Sequence, residues 1–255
     1  TLTKGSQGGG DYVNHDGWTY AGWCWDAGSS VASTSNSGSA TSYTRWTNSE
    51  AGFSIITATM STGSGYHQKT VDHGLGIKPG LIIDKGLDAA ENWHVYHQHI
   101  PSKVMFLETT DDQDPSSWKV ASTSTTQFTY DSYGAAQNYV FYVWAPKPGY
   151  SNFGGYEGGT ANKFIYCGFK PKLVLIKCYD VAGESWFFYD SERGSTAYLC
   201  PDTTLAELTN ANTIHFNANG FVLTGNGSNG ASKNYIYGAW AEHPFKTANA
   251  GGTVY

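Results

Sequence analysis

His94, His97 and His99 form the densest set of potential metal ligands in the sequence. On an extended strand, residues two apart share a face, so His97 and His99 would point the same way, as a metal pair requires. No cysteine or third ligand stands beside them. Hydrogen-bonded surface histidines are therefore the expectation, with no metal and no cofactor. Asp111, Asp112 and Asp114 have the composition of a calcium loop, but no Gly and no closing Glu follow in register, so a solvated acidic loop is expected. Asp72-His73 would need Ser61 or Ser64 brought to it to make a triad, and no GxSxG turn occurs. Asp190 could pair with Glu184, Glu192 or Glu207 as the carboxylates of a glycoside hydrolase do. Arg193 is the better partner for Asp190 or Glu192, in an ion pair. The Gly-rich runs lead into no helix carrying Lys-Ser/Thr, which makes them turns and not phosphate cradles. Without a recognisable catalytic set, the chain is expected not to be an enzyme.

Binding chemistry is better represented. The chain has 9 Trp, 18 Tyr and 12 Phe. Planar rings stack on sugar faces, while Asn, Asp and Ser edges read hydroxyls. Trp118, Tyr133, Tyr156 and Tyr179, together with Tyr66, fall near predicted loops and are the candidate carbohydrate-binding residues. Trp93, Trp144, Trp186 and Trp240 recur at strand positions and are assigned to the core.

The elements that must position these residues follow from an internal repeat. Ile77-Lys78-Pro79-Gly80-Leu81-Ile82-Ile83-Asp84-Lys85 returns as Phe169-Lys170-Pro171-Lys172-Leu173-Val174-Leu175-Ile176-Lys177, with Asp84 against Ile176 the one mismatch inside the run. A Gly/Pro turn followed by a short β-branched run reads as a buried strand. Gly52-Phe53-Ser54 matches Gly149-Tyr150-Ser151, and Trp93-His94-Val95-Tyr96 matches Trp186-Phe187-Phe188-Tyr189. Asn138-Tyr139-Val140-Phe141-Tyr142-Val143-Trp144-Ala145 matches Asn234-Tyr235-Ile236-Tyr237-Gly238-Ala239-Trp240-Ala241. Ordered matches of this kind indicate duplication. The closing strand is apolar on both faces and is expected to be central. No stretch sustains a 3.6-residue period; only 203–210 could give a helical turn.

The expected fold is all-β: two tandem β-sandwich-like repeats of jelly-roll or lectin-like type, at 52–148 and 149–245. Residues 1–51 are expected to be an arm, an orphan strand and a Ser/Thr/Gly-rich linker, and 246–255 a tail. Aligned on Trp25, the segment around Trp18, Tyr20, Trp23 and Trp25 looks like the closing strand of a third, upstream unit. Exposing those rings is unfavourable by ~25 cal/mol per Å². They are therefore expected to act as an assembly strand, packed in a groove of this chain or in a neighbouring subunit.

The net charge of −6 comes with no basic cluster, so nucleic acid is not an expected partner. No apolar run approaches the ~20 residues that span a bilayer, so membrane insertion is not expected. Residues 1–5 carry neither an initiator Met nor a signal-peptide core, the expectation being a fragment or processed product. Cys24, Cys167, Cys178 and Cys200 read as small buried hydrophobes, with a Cys178–Cys200 or Cys167–Cys178 disulfide left open.

Four segments, Val71–Pro79, Asn92–His97, Gly149–Tyr156 and Ala241–Lys246, resemble in order a repeat domain of uncharacterised bacteriophage virion proteins of the tail-fibre type, found in marine and environmental phages. The resemblance spans roughly residues 12 to 250. It implies a structural or adhesive component, in the virion or extracellular, that self-associates or joins other virion subunits and attaches to host cell-surface polysaccharide. It supplies no catalytic residues. A secreted carbohydrate-binding or matrix protein is the alternative reading, and a glycan-cleaving enzyme the third.

Overall fold

The computed structural model describes residues 20, 22–33, 41–60, 65–115, 119–133, 138–209, 214–225 and 227–243. Within them the chain is all-β, without helix. A hairpin of β1 (Ser29–Ser33) and β2 (Thr41–Asn48) leads to β3 (Phe53–Thr59), β4 (Tyr66–Asp72), β5 (Leu81–Gly86), β6 (His94–His97), β7 (Met105–Phe106), β8 (Val120–Thr123), β9 (Gln127–Tyr133) and β10 (Asn138–Trp144). The chain continues through β11 (Ser151–Glu157), β12 (Lys163–Tyr166), β13 (Pro171–Cys178), β14 (Trp186–Asp190), β15 (Ala197–Tyr198), β16 (Leu208–Thr209), β17 (Ile214–Asn217), β18 (Gly220–Leu223) and β19 (Asn234–Ala241).

In the first half a large sheet, ordered β1-β2-β3-β10-β5-β6-β7, faces a small one, β4-β9-β8. In the second half β11-β19-β13-β14 faces β12-β18-β17, with β15 and β16 pairing separately. Taken in chain order, the run β3-β10-β5-β6 has the strand order of β11-β19-β13-β14, and β4-β9-β8 that of β12-β18-β17. Register agrees as well. Leu81 lies opposite Trp144 and His97, and Leu173 opposite Trp240 and Asp190.

The two Lys-Pro runs become β5 and β13, inner strands of the large sheets. Both faces of each are covered, so they read as continuous apolar runs and not as alternations. One face points into its own sandwich: Ile56, Ile82, Phe128, Tyr130 and Phe141 in the first half, Val174, Ile176, Phe221, Leu223 and Tyr235 in the second. The other face points between the halves, where Phe53, Leu81, Val95 and Trp144 meet Phe153, Leu173, Trp186 and Trp240 in a shared core. Trp144, Trp186 and Trp240 are buried as expected, and Trp93 is half-buried.

That junction is close-fitting. A Cβ added to Gly80 would lie 2.6 Å from Cδ2 of the buried Phe153 ring. Gly80→Ala is therefore expected to cost about 1–3 kcal/mol by overpacking, read as a lower urea midpoint. The corresponding position in the second half is Lys172, where the described residues place no such ring.

Several expectations are corrected. Residues 28–51 are not only linker, because β1 and β2 form a hairpin there and β2 pairs with the outer edge of β3. Ser- and Thr-rich strands at an edge lack the apolar period that marks inner strands, yet covering an edge is a common task for a polar hairpin. Residues 203–209 form no helical turn, residue 210 lying outside the described residues; Leu208–Thr209 pairs with Ala197–Tyr198. All four cysteines are free. Cys167, Cys178 and Cys200 are buried, and burial pushes each thiol up to about 11. Cys24 is exposed.

Of the arm's described residues, Trp23 and Trp25 lie half-buried in a groove of this chain, whereas Tyr20 is 50% exposed and not buried as expected. Residues 22–28 belong to no ladder, yet their burial alternates residue by residue as in a strand. Trp23 stacks on Phe188 with centroids 5.1 Å apart. Trp25 meets Trp144 edge-on at 5.6 Å and Trp240 at 5.4 Å, while Trp144 and Trp240 are 5.9 Å apart. The three tryptophans that align in sequence thus form a triangle of edge-to-face pairs, each worth about 0.5–1.5 kcal/mol beyond its burial. Trp18 lies outside the described residues.

Candidate binding surface

β4 and β9 are antiparallel and place Tyr66 directly opposite Tyr133 and Gln68 opposite Asp131. Period-two alternation puts all four on the outer face of the small sheet, since Tyr130, one residue before Asp131, is fully buried in the sandwich. Tyr66 is 55% exposed and Tyr133 75%. Gln68 Nε2 donates to Asp131 Oδ1 at 3.0 Å, which fixes the amide. The Tyr66 hydroxyl is raised above its ordinary pKa, by partial desolvation first and then by the Asp131 carboxylate beside it. The Tyr66 hydroxyl therefore stays protonated near neutrality and keeps its donor hydrogen. Two exposed rings with an exposed amide at their base, held from below by the buried Asp131 carboxylate, suit stacking on a sugar ring and reading its hydroxyls through the amide.

The second half carries a related patch. On β12, Phe164 and Tyr166 are 47% and 65% exposed on one face, and Ile165 between them is buried. Sequence reasoning passed over this pair, although the alternation in Lys163-Phe164-Ile165-Tyr166 holds the signal. Both small sheets therefore show aromatics outward.

Of the four candidate sugar-stacking residues, Tyr133 is the one the structure leaves open. Trp118 lies outside the described residues. Tyr156 lies flat on Tyr235, centroids 5.1 Å apart at 8°, and its hydroxyl donates to Ser228 O at 2.6 Å. Tyr179 is half-buried at the junction, edge-on to His99, and its carbonyl accepts from Gln113 N at 2.8 Å. Both rings are used in packing, where loop position alone suggested freedom.

His94 and His97 are internal, not on the surface, while His99 is exposed as expected. His94 Nδ1–H donates to Asp84 Oδ2 at 3.1 Å, and the Tyr130 hydroxyl donates to the same oxygen at 2.6 Å. His97 Nε2 donates to Tyr237 O across the junction at 3.1 Å, while its Nδ1 accepts from His99 N at 3.2 Å. β6 ends at His97, so His99 leaves the strand face. Among the described residues no three His, Cys, Asp or Glu side chains come together as a metal site. The loop carrying Asp111, Asp112 and Asp114 stitches the halves through its backbone, with Gly183 N donating to Thr110 O at 2.8 Å.

His73 is fully buried. Its Nδ1 accepts from Leu75 N at 3.2 Å, and its Nε2–H donates to Ser124 O at 3.2 Å, leaving neither nitrogen for a nucleophile. Ser61 and Ser64 lie outside the described residues. Asp72 pairs with Arg45 at 2.8 Å.

Arg193 does partner Asp190, Nε to Oδ2 at 3.0 Å, and also approaches Glu207 at 3.4 Å. Its guanidinium lies 5.5 Å from the Trp23 ring centroid. These residues line a cleft of about 720 Å³ between the arm, at Tyr20, Gly22 and Trp23, and the edge of the second half. Glu184 stands apart, paired with Lys233.

No curated protein and no solved structure matches the chain. A family model described as a domain of unknown function, DUF7483, matches residues 1–244. By that match, which covers nearly all of the sequence, the chain belongs to the DUF7483 family.

Proposed function

We propose that this protein is a structural and adhesive component of the phage tail-fibre type, made of two copies of one β unit whose small sheets face outward toward a host-surface glycan. The two-copy reading is supported by ordered sequence matches and by the common strand order of the two halves. The adhesive reading is carried by one observation: Tyr66 and Tyr133 stand opposite each other, exposed, over the Gln68–Asp131 pair. A monomer rarely spends large exposed rings side by side unless they meet something. Binding is non-covalent, by stacking and hydrogen bonds on a rigid sheet. Self-association or joining to other virion subunits is part of this reading, as is placement in the virion or outside the cell.

A glycan array read alongside particle fractionation tests it. The protein is expected to bind a subset of bacterial surface polysaccharides without releasing reducing ends, and to co-purify with particles. Tyr133→Ala should weaken binding by about 5- to 150-fold, the ~1–3 kcal/mol of a lost stacking contact, and leave the urea midpoint unchanged because the ring is exposed. Equal binding by wild type and variant would refute the site. Recovery with extracellular fibres in place of particles would favour the secreted matrix reading.

A further inference from the structure

We infer that the cleft beside Trp23 is a strand-docking site, and that its occupant is the first strand of a third β unit of the same kind, of β11 type, laddering onto residues 22–25. The inference rests on the equivalence of the halves and on the arm's geometry, and stands independently of the glycan reading.

The junction between the two described halves shows what belongs there. At that junction β11 and β19 of the second half lie on β5 and β6 of the first. Gln98 Nε2 donates to Phe153 O at 2.5 Å, His97 Nε2 donates to Tyr237 O, and Gly155 lies against the His99 ring. Aligning Trp25 with Trp240 makes residues 20–25 the counterpart of 235–240, so Gly22 stands for Tyr237 and Cys24 for Ala239. By the register shared between β5–β6 and β13–β14, Asp190 is the counterpart of His97 and Glu192 of His99.

The arm meets the second half in the same manner. Gly22 and Trp23 border the cleft whose floor is Asp190, Glu192 and Arg193. The arm therefore sits where β19 sits at the first junction, and the cleft lies where β11 sits. Two further observations agree. Residues 22–25 alternate in burial as a strand does but join no sheet. Arg193 Nη2 is buried and finds no acceptor among the described residues, leaving a donor for a strand carbonyl. The triangle of Trp25, Trp144 and Trp240 adds that three such units would share one core around these rings. Strand addition supplies the ladder bonds, and the pleat supplies register.

The register makes the test specific. Asn152 lies opposite Ala239 in the β11–β19 ladder, so a docked β11-type strand places its Asn152 position opposite Cys24. Cys24 is the exposed thiol, and the other three are buried. The full chain is incubated under mild oxidation with synthetic peptides of residues 149–158 carrying Asn152→Cys or Phe153→Cys, and with a scrambled peptide carrying one Cys. Mass spectrometry is expected to show disulfide to Cys24 at least about tenfold faster for the Asn152→Cys peptide, since a one-residue slip turns the thiol to the opposite face. Equal rates for the two registers, equal capture of the scrambled peptide, or no capture would overturn the inference.

Discussion

Replacing His94 by Phe on its own should destabilise the protein by about 3–5 kcal/mol, while the triple change Asp84→Ile, His94→Phe and Tyr130→Phe should return stability to near wild type or above it. The reason lies in a buried polar set that one half has and the other lacks. Asp84, 1% exposed, accepts from His94 and Tyr130 through Oδ2, and its Oδ1 has no partner among the described residues. By register and sequence the counterparts in the second half are Ile176, Phe187 and Leu223, all apolar. Removing His94 leaves the Asp84 carboxyl buried with one donor, which costs far more than the pair contributed. Removing all three polar groups leaves nothing unsatisfied, and such replacements are often neutral or stabilising by ~1–4 kcal/mol. Phe is chosen at 130 because the Tyr130 ring packs 5.2 Å from Tyr139 and 4.9 Å from Phe141, and a smaller residue would open a cavity. Urea unfolding of the single and triple variants decides it. A triple variant no more stable than His94→Phe would show that the set contributes something beyond its own mutual satisfaction.

The same comparison shows where sequence reading reaches and where it stops. Asp84 against Ile176 was visible as the one mismatch in a repeated run, and both runs are inner strands because only strands covered on both faces can be apolar throughout. The closing strands and the alignment of Trp25 with Trp144 and Trp240 were equally legible, since large rings at fixed spacing admit few placements. What covers a face was not legible. His97 reads as a surface residue because periodicity reports which way a side chain points, not that a second sheet lies over that face. Tyr156 and Tyr179 failed for the same reason, their rings being consumed by Tyr235 and by the junction. Tyr66 and Tyr133 came through as candidates, but their pairing across two strands depends on a register that a lone strand does not display.

His97 also sets the second large effect, a loss of stability in mild acid. The ring is 1% exposed and seated between the halves, donating from Nε2 to Tyr237 O and accepting at Nδ1 from His99 N. Those two bonds are satisfied by the neutral Nε2–H tautomer, and a proton on Nδ1 would face another donor. Burial is the chief cause that lowers its pKa to about 3; the Tyr237 carbonyl opposes this and His99 adds to it. The folded value lies below the unfolded one near 6.5, so between them the unfolded chain binds a proton that the native protein refuses. Stability is intact above pH 6.5 and falls as pH drops toward 3, by about 1.4 kcal/mol per unit, or about 3 kcal/mol by pH 4.5. His73, lowered mainly by burial, adds in the same direction. Asp180 is raised by burial but lowered overall by its bonds from Asn234, so its contribution is lost only further into acid. His97→Gln keeps a donor for Tyr237 and an acceptor for His99 but cannot titrate. Its urea midpoint should change distinctly less between pH 6.5 and 4.5 than that of the wild type. An identical slope in the two proteins would mean that His97 takes up its proton without opening the junction.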